Sequence, residues 1–159
     1  MAKPSAEIQR RADALVKKHR LQDRIGIRVR VTENPADGRD LCRVQHKLDA
    51  ALTSIIRLPW YVPIFIVTDS DYVERMLASH FADAQALPKR FPSIEHSGRF
   101  IDRRDPSAMR TYVTEIACLT ACRHIINFGG FINQESVADK MIQPTCNRNL
   151  FGLRAVRQA

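Results

Sequence analysis

No apolar run in this 159-residue sequence approaches the roughly 18 residues that a membrane-crossing helix needs. The longest candidate, residues 60–67, is interrupted by Pro63. Met1-Ala2-Lys3-Pro4-Ser5 leads into a charged amphipathic stretch and lacks the apolar centre of a secretory signal, so a cytoplasmic chain with no membrane span is expected. Cysteine is scarce. Cys42, Cys118, Cys122 and Cys146 are too few for a secreted disulfide scaffold. Cys118 and Cys122 stand one helical turn apart beside His124, but no C-x-x-C or H-x-x-x-H pair completes a zinc set. Buried thiols are the expectation, with no metal and no other cofactor. There is also no long basic tract and no aromatic-rich RNA-binding signature, which argues against a nucleic-acid partner.

What is present is a basic globular chain. The formal net charge of +8 calls for an anionic partner: nucleic acid, a membrane surface or a phosphorylated ligand. The excess is densest over Arg10, Arg11, Lys17, Lys18, Arg20, Arg24, Arg28 and Arg30. Ile8, Ala12, Leu15 and Val16 fall on one stripe behind Ser5, predicting an N-terminal helix over residues 5–19. Residues 24–31 alternate with β-branched side chains and read as a strand, ended by the turn chemistry of residues 34–38. Leu41, Val44, Leu48, Leu52 and Ile55 mark a helix. Residues 64–67, continuously apolar, are a strand covered on both faces. Asp71 with Glu74 makes a capping box for a helix whose buried stripe is Val73, Met76, Leu77, His80 and Phe81, with His80 a packed histidine. A short strand at residues 93–95 precedes a charged loop from Gly98 to Asp105. Asp105-Pro106 then caps a helix reaching about Cys122. Residues 123–128 form a further strand closed by Gly129-Gly130, and a helix near 134–142 stops at Pro144.

Helix and strand alternate throughout. The fold class is therefore α/β, a Rossmann-like doubly wound parallel sheet with helices on both faces. The whole of 1–159 reads as one domain: N-terminal helix 5–19, core 24–142 and tail 143–159. In such a sheet a ligand sits beyond the carboxyl ends of the strands. Those exits carry Arg28, Arg30, Thr32 and Glu33, then Thr68, Asp69, Ser70 and Asp71, then Asn127, Gly129 and Gly130. Arginine can fork onto phosphate oxygens, and glycines before a helix let main-chain amides approach an anion. Each piece also has a plain structural reading: Arg28 and Arg30 as a solvated sheet edge, residues 68–71 as helix capping, Gly129-Gly130 as a turn. Their convergence at one rim favours a site.

At these residues the chain resembles the donor-binding half of the α1,6-fucosyltransferase family, which includes nodulation and core fucosyltransferases. Ile25-Gly26-Ile27-Arg28-Val29-Arg30-Val31-Thr32-Glu33 is similar to the family's strand IGVHVRRTD, and Phe65-Ile66-Val67-Thr68-Asp69-Ser70 to a strand ending Ala-Thr-Asp-Asp. Residues 112–130 resemble its third stretch, a helix bearing an acid followed by a strand and a small-residue turn. The resemblance implies a GT-B-type domain that binds a nucleotide sugar, GDP-fucose-like, without a metal. It implies that Arg30 holds the donor β-phosphate and that Arg28, Gly129 and Gly130 lie against the diphosphate. It further implies that Thr68, Asp69 and Glu115 line the nucleotide and sugar, with Glu115 near the guanine. Arg28 stands where the family has His, Val31 replaces its second arginine, Ser70 its second acid, and Gly129-Gly130 its serines.

The resemblance also implies that the acceptor half lies outside this chain, so that a fucosyltransferase-like enzyme is incomplete alone and calls for a partner chain or a homo-oligomer. The alternative is a non-catalytic α/β domain for protein interaction or self-association; a third is a basic nucleic-acid binder. For the general base, His96, His124 and Glu33 are candidates by residue type only.

Overall fold

The computed structural model describes residues 4–31, 41–95 and 98–128, and among these the side chains of all but 41–47 and 95. Helix α1, Ala6–His19, starts where the Ser5 side chain accepts from the Ile8 amide at 3.3 Å, and it ends at Arg20 in the left-handed conformation, φ 51°. Strand β1, Ile25–Val29, follows; then α2, Leu41–Ile55; β2, Ile64–Thr68; and α3, Asp71–His80. Two residues form β3, Ala84–Gln85. A hairpin of β4, Ser93–Glu95, and β5, Gly98–Phe100, leads to α4, Pro106–Leu119, and β6, His124–Phe128.

The main sheet is wholly parallel in the order β3-β2-β1-β6. Its strands run in step: Ile25 pairs with Ile64 and His124, and Val29 with Thr68 and Phe128. All five residues of β2 are buried, as a central parallel strand requires. The strand period of two divides them between two cores. Phe65 and Val67 join Ile125, α1 (Ala12, Val16) and α4 (Ile116, Leu119) on one face. Ile64 and Ile66 join Ile27, Val29, α2 (Leu48, Leu52, Ile55) and α3 (Val73, Leu77) on the other. Helices cover both faces, and the doubly wound α/β class is observed. At Gly26 a Cβ would collide with Leu119 Cδ1 and lie 3.1 Å from Cys122 Cβ and Sγ, so glycine here admits α4 and the chain after it against β1.

Several local readings are corrected. Arg28 and Arg30 do not solvate an edge, because β1 lies between β2 and β6 and Arg28 is wholly buried. The N-cap of α3 is Ser70, whose hydroxyl accepts from the Val73 amide at 3.4 Å; Asp71 is the first helical residue and pairs with Arg75 at 2.9 Å. Glu74 turns its side chain to Lys89, 2.9 Å away, and does not close a capping box. His80 is exposed at the last turn of α3, edge-on to the buried Phe81 ring at 4.8 Å. The stretch after Gly98 begins as a strand, tied to the end of β2 by a Ser70–Phe100 bridge and by the Ile101 amide on the Asp69 carbonyl. Helix α4 ends at Leu119, before Cys122. The expectations for residues 34–38, 134–142 and 144, and for Thr32, Glu33, His96, Gly129 and Gly130, lie outside the described residues.

Candidate functional site

The carboxyl ends of β1, β2 and β6 meet the start of α4 and the loop that precedes it. Asp105 caps α4, accepting from the Ser107 amide at 2.9 Å, and Pro106 occupies the first turn, where no amide hydrogen is needed. That cap sets the helix on which Tyr112 and Glu115 stand one turn apart. Arg28 projects from β1 toward α4: its Nε donates to the Tyr112 hydroxyl at 3.4 Å and its Nη1 to Asn127 Oδ1, on β6, at 3.1 Å. Burial pushes the Tyr112 hydroxyl pKa up, against the pull of Arg28 and Arg30, so the phenol keeps its proton.

Arg30 leaves β1 beside the last residue of β6, its amide donating to the Phe128 carbonyl at 3.1 Å. Its half-buried guanidinium makes no hydrogen bond or ion pair with the described residues. Asp69 is a buried node. Oδ1 accepts from the Val31 amide at 2.8 Å and Oδ2 faces Arg103 Nη2 at 3.1 Å, so one carboxylate joins the exits of β1 and β2 to the loop before α4. Thr68 and Ser70 are buried around it; Thr68 Oγ1 accepts from the Ser70 amide at 3.2 Å.

One turn beyond Tyr112, Glu115 is fully buried with Oε1 on Lys89 Nζ at 2.5 Å. Lys89 also reaches Glu74 of α3, and its side chain is 3% exposed. Burial pushes the Glu115 carboxyl up to about 7, with Lys89 opposing. Burial works against the charge on Lys89 as well, but Glu115 and Glu74 together hold its pKa above the ordinary value. Glu115 Oε2 is buried without a hydrogen-bond partner among the described residues. Cys118 is buried and Cys122 half-buried; burial first of all pushes both thiols up to about 12, which leaves them protonated and unreactive. Among the described residues no three His, Cys, Asp or Glu side chains cluster to hold a metal ion.

Of the expected site residues, the structure brings Arg28, Arg30, Thr68 and Asp69 to one rim, with Glu115 deeper along α4; Gly129 and Gly130 follow Phe128 outside the described residues. His124 opens β6, at the opposite end of the strand from Asn127 and away from this rim. Three contributors escaped the sequence reading. The sequence gives Tyr112 no role beyond opening the third resembling stretch, although a phenol that ends beside strand exits needs a polar partner. Arg103 stands in a basic pair just before a capped helix, a signal that was available. Nothing in the sequence around Lys89, between Pro88 and Pro92, marks it as buried.

No protein-family model and no curated protein sequence matches the chain. Solved structures do. A NodZ α-1,6-fucosyltransferase co-crystallised with GDP superposes with a TM-score of 0.55 at 21% identity, over 89% of this chain and 42% of that one. Fucosyltransferase NodZ from Bradyrhizobium gives 0.54 at 20% over the same shares. A NodZ α-1,6-fucosyltransferase soaked with GDP-fucose gives 0.52 at 22%, over 91% of this chain and 43% of that one. The chain thus spans less than half the length of these enzymes. It has the α/β fold of the portion of fucosyltransferase NodZ onto which it superposes.

Proposed function

We propose that this domain binds a nucleotide sugar of the GDP-fucose type, as the donor-binding part of a fucosyltransferase-like glycosyltransferase whose acceptor part is supplied elsewhere. The observation that carries the reading is the Arg30 guanidinium, without a partner among the described residues, at the carboxyl end of a central parallel strand. That is where a doubly wound sheet receives its ligand, and a cation there stabilises the charge that develops on a departing diphosphate. Two of the similar structures were obtained with GDP or GDP-fucose, which supports the choice of ligand.

In this reading Arg30 meets the β-phosphate, and the main-chain amides of Gly129 and Gly130 approach the same diphosphate. Thr68 and Asp69 hold the rim on the nucleotide and sugar side. Glu115 offers its unpartnered Oε2 to a base amide, with Lys89 retained on Oε1. Isothermal titration of the purified chain with GDP, UDP, dTDP and their sugars tests it. GDP or GDP-fucose should bind saturably, and Arg30→Ala should weaken binding by about tenfold or more, the worth of a charge-assisted hydrogen bond. Equal affinity in the variant removes Arg30 from the site and the proposal with it.

A further inference from the structure

Arg28 and Asn127 are register partners on adjacent strands, and Arg28 is wholly buried between β1 and α4. Its guanidinium uses an acceptor on each of two neutral side chains, the Tyr112 hydroxyl oxygen and Asn127 Oδ1. Each contact also fixes where the neighbour's own donor goes. A phenol whose oxygen accepts from a guanidinium carries its proton on the other side. An amide whose oxygen accepts turns its Nδ2 hydrogens away. Among the described residues neither donor has an acceptor. Both residues are half-buried, not sealed from a ligand. Arg30 stands two residues along β1 on the same face as Arg28, and its amide is bonded to Phe128, the residue after Asn127. Burial keeps Tyr112 protonated, so it remains a donor when an anion arrives.

We infer that Tyr112 and Asn127 are ligand-binding donors which, aimed by Arg28, join Arg30 in gripping a phosphate of the bound nucleoside diphosphate. This rests on the nucleotide reading of the preceding subsection for the identity of the anion. It gives Arg28 a different part from Arg30: Arg28 is a positioning residue beneath the site, and Arg30 a contact within it. Neutral donors polarised by a buried cation can hold an oxyanion without further charge.

Titration of the whole chain with GDP and with inorganic pyrophosphate tests the assignment. Tyr112→Phe removes one oxygen and should weaken both ligands about tenfold. Asn127→Asp keeps an acceptor for Arg28, so folding is retained, but it replaces the amide donor with a carboxylate that repels the anion. It should weaken both ligands by more than tenfold while the melting temperature stays at or above that of the wild type. A purely structural role predicts the reverse for Asn127→Asp, a changed melting temperature with affinity intact. Arg28→Lys combined with Tyr112→Phe should cost less than the sum of the two single effects, since Arg28 acts in part through the phenol. If the wild type binds GDP and both Tyr112→Phe and Asn127→Asp bind it equally well, this inference is overturned and the nucleotide reading stands. If the wild type binds neither ligand, the nucleotide reading fails first.

Discussion

At the scale of single residues, one carboxyl group among the described residues lies far from its ordinary behaviour. Glu115 titrates near 7 in the folded chain against 4.5 when solvated, because burial outweighs the attraction of Lys89. Between those values the folded state holds a proton that the unfolded state has released. The stabilisation from this group is therefore complete below about 4.5 and is lost as pH rises through about 7. Lys89, with its pKa raised, stays charged in both states over that window and does not offset the trend. Urea-unfolding free energy should thus fall between pH 5 and pH 8, and Glu115→Gln should flatten that portion of the curve. A variant curve parallel to the wild type would remove Glu115 as its cause. Gly26 gives a second residue-scale expectation. Gly26→Ala forces Leu119 aside and presses on Cys122, which should cost about 1–3 kcal/mol, typical of overpacking. A melting temperature unchanged by that substitution would show that the helix does not need the close approach.

At the scale of elements, legibility followed length and periodicity. Residues 64–67 announced a strand buried on both faces because every side chain was apolar, α1 announced itself by cap and stripe together, and α4 by its Asp105-Pro106 cap. β3 could not be read: two residues carry no period, and they join the sheet through main-chain pairing with Ile64 and Phe65. β5 was hidden in a charged stretch for the same reason: its three residues join the fold through main-chain pairing with β4, and Phe100 also bridges to Ser70. Ser70 and Asp71 are both good caps, and only the extended main chain at Ser70 decides between them. The site divides along the same line. Arg30, Thr68 and Asp69 were legible because parallel strands deliver their last residues to one rim. Lys89 was not, because its partner lies 26 residues away in sequence, and Arg103, though marked by its place in a basic pair before a capped helix, finds Asp69 only across 34 residues. The Asp105 cap joins element to site, for it orients the helix bearing Tyr112 and Glu115. Asp105→Ala should lower stability by about 1 kcal/mol, and Asp105→Asn should restore most of it. Equal melting temperatures for the alanine and asparagine variants would show that the cap bond at Ser107 contributes nothing.

At the scale of the whole molecule, helices on both faces leave the parallel sheet two rims, and the rims differ in chemistry. The carboxyl rim gathers Arg30, the Asp69–Arg103 pair and the Tyr112 hydroxyl over the Arg28 guanidinium. The amino rim, where the chain enters β2, exposes Ile56 (41%), Trp60 (62%) and Tyr61 (65%), the two rings set edge to face at 5.9 Å. In the proposed reading the carboxyl rim takes the ligand, and the amino rim is expected to act independently of it. Sites that share no packed neighbours and lie well apart are expected to be additive to within a few tenths of a kcal/mol. Trp60→Ser combined with Tyr61→Ser should therefore leave GDP affinity within about twofold of the wild type. Stability should move by no more than about 0.5 kcal/mol per substitution, since neither ring is buried. Titration calorimetry and a urea melt of the doubly substituted chain read both quantities. A tenfold loss of GDP affinity with an intact melt would mean that the amino rim governs the carboxyl rim across the length of the strands. The ligand site could then no longer be treated as built from the strand ends alone.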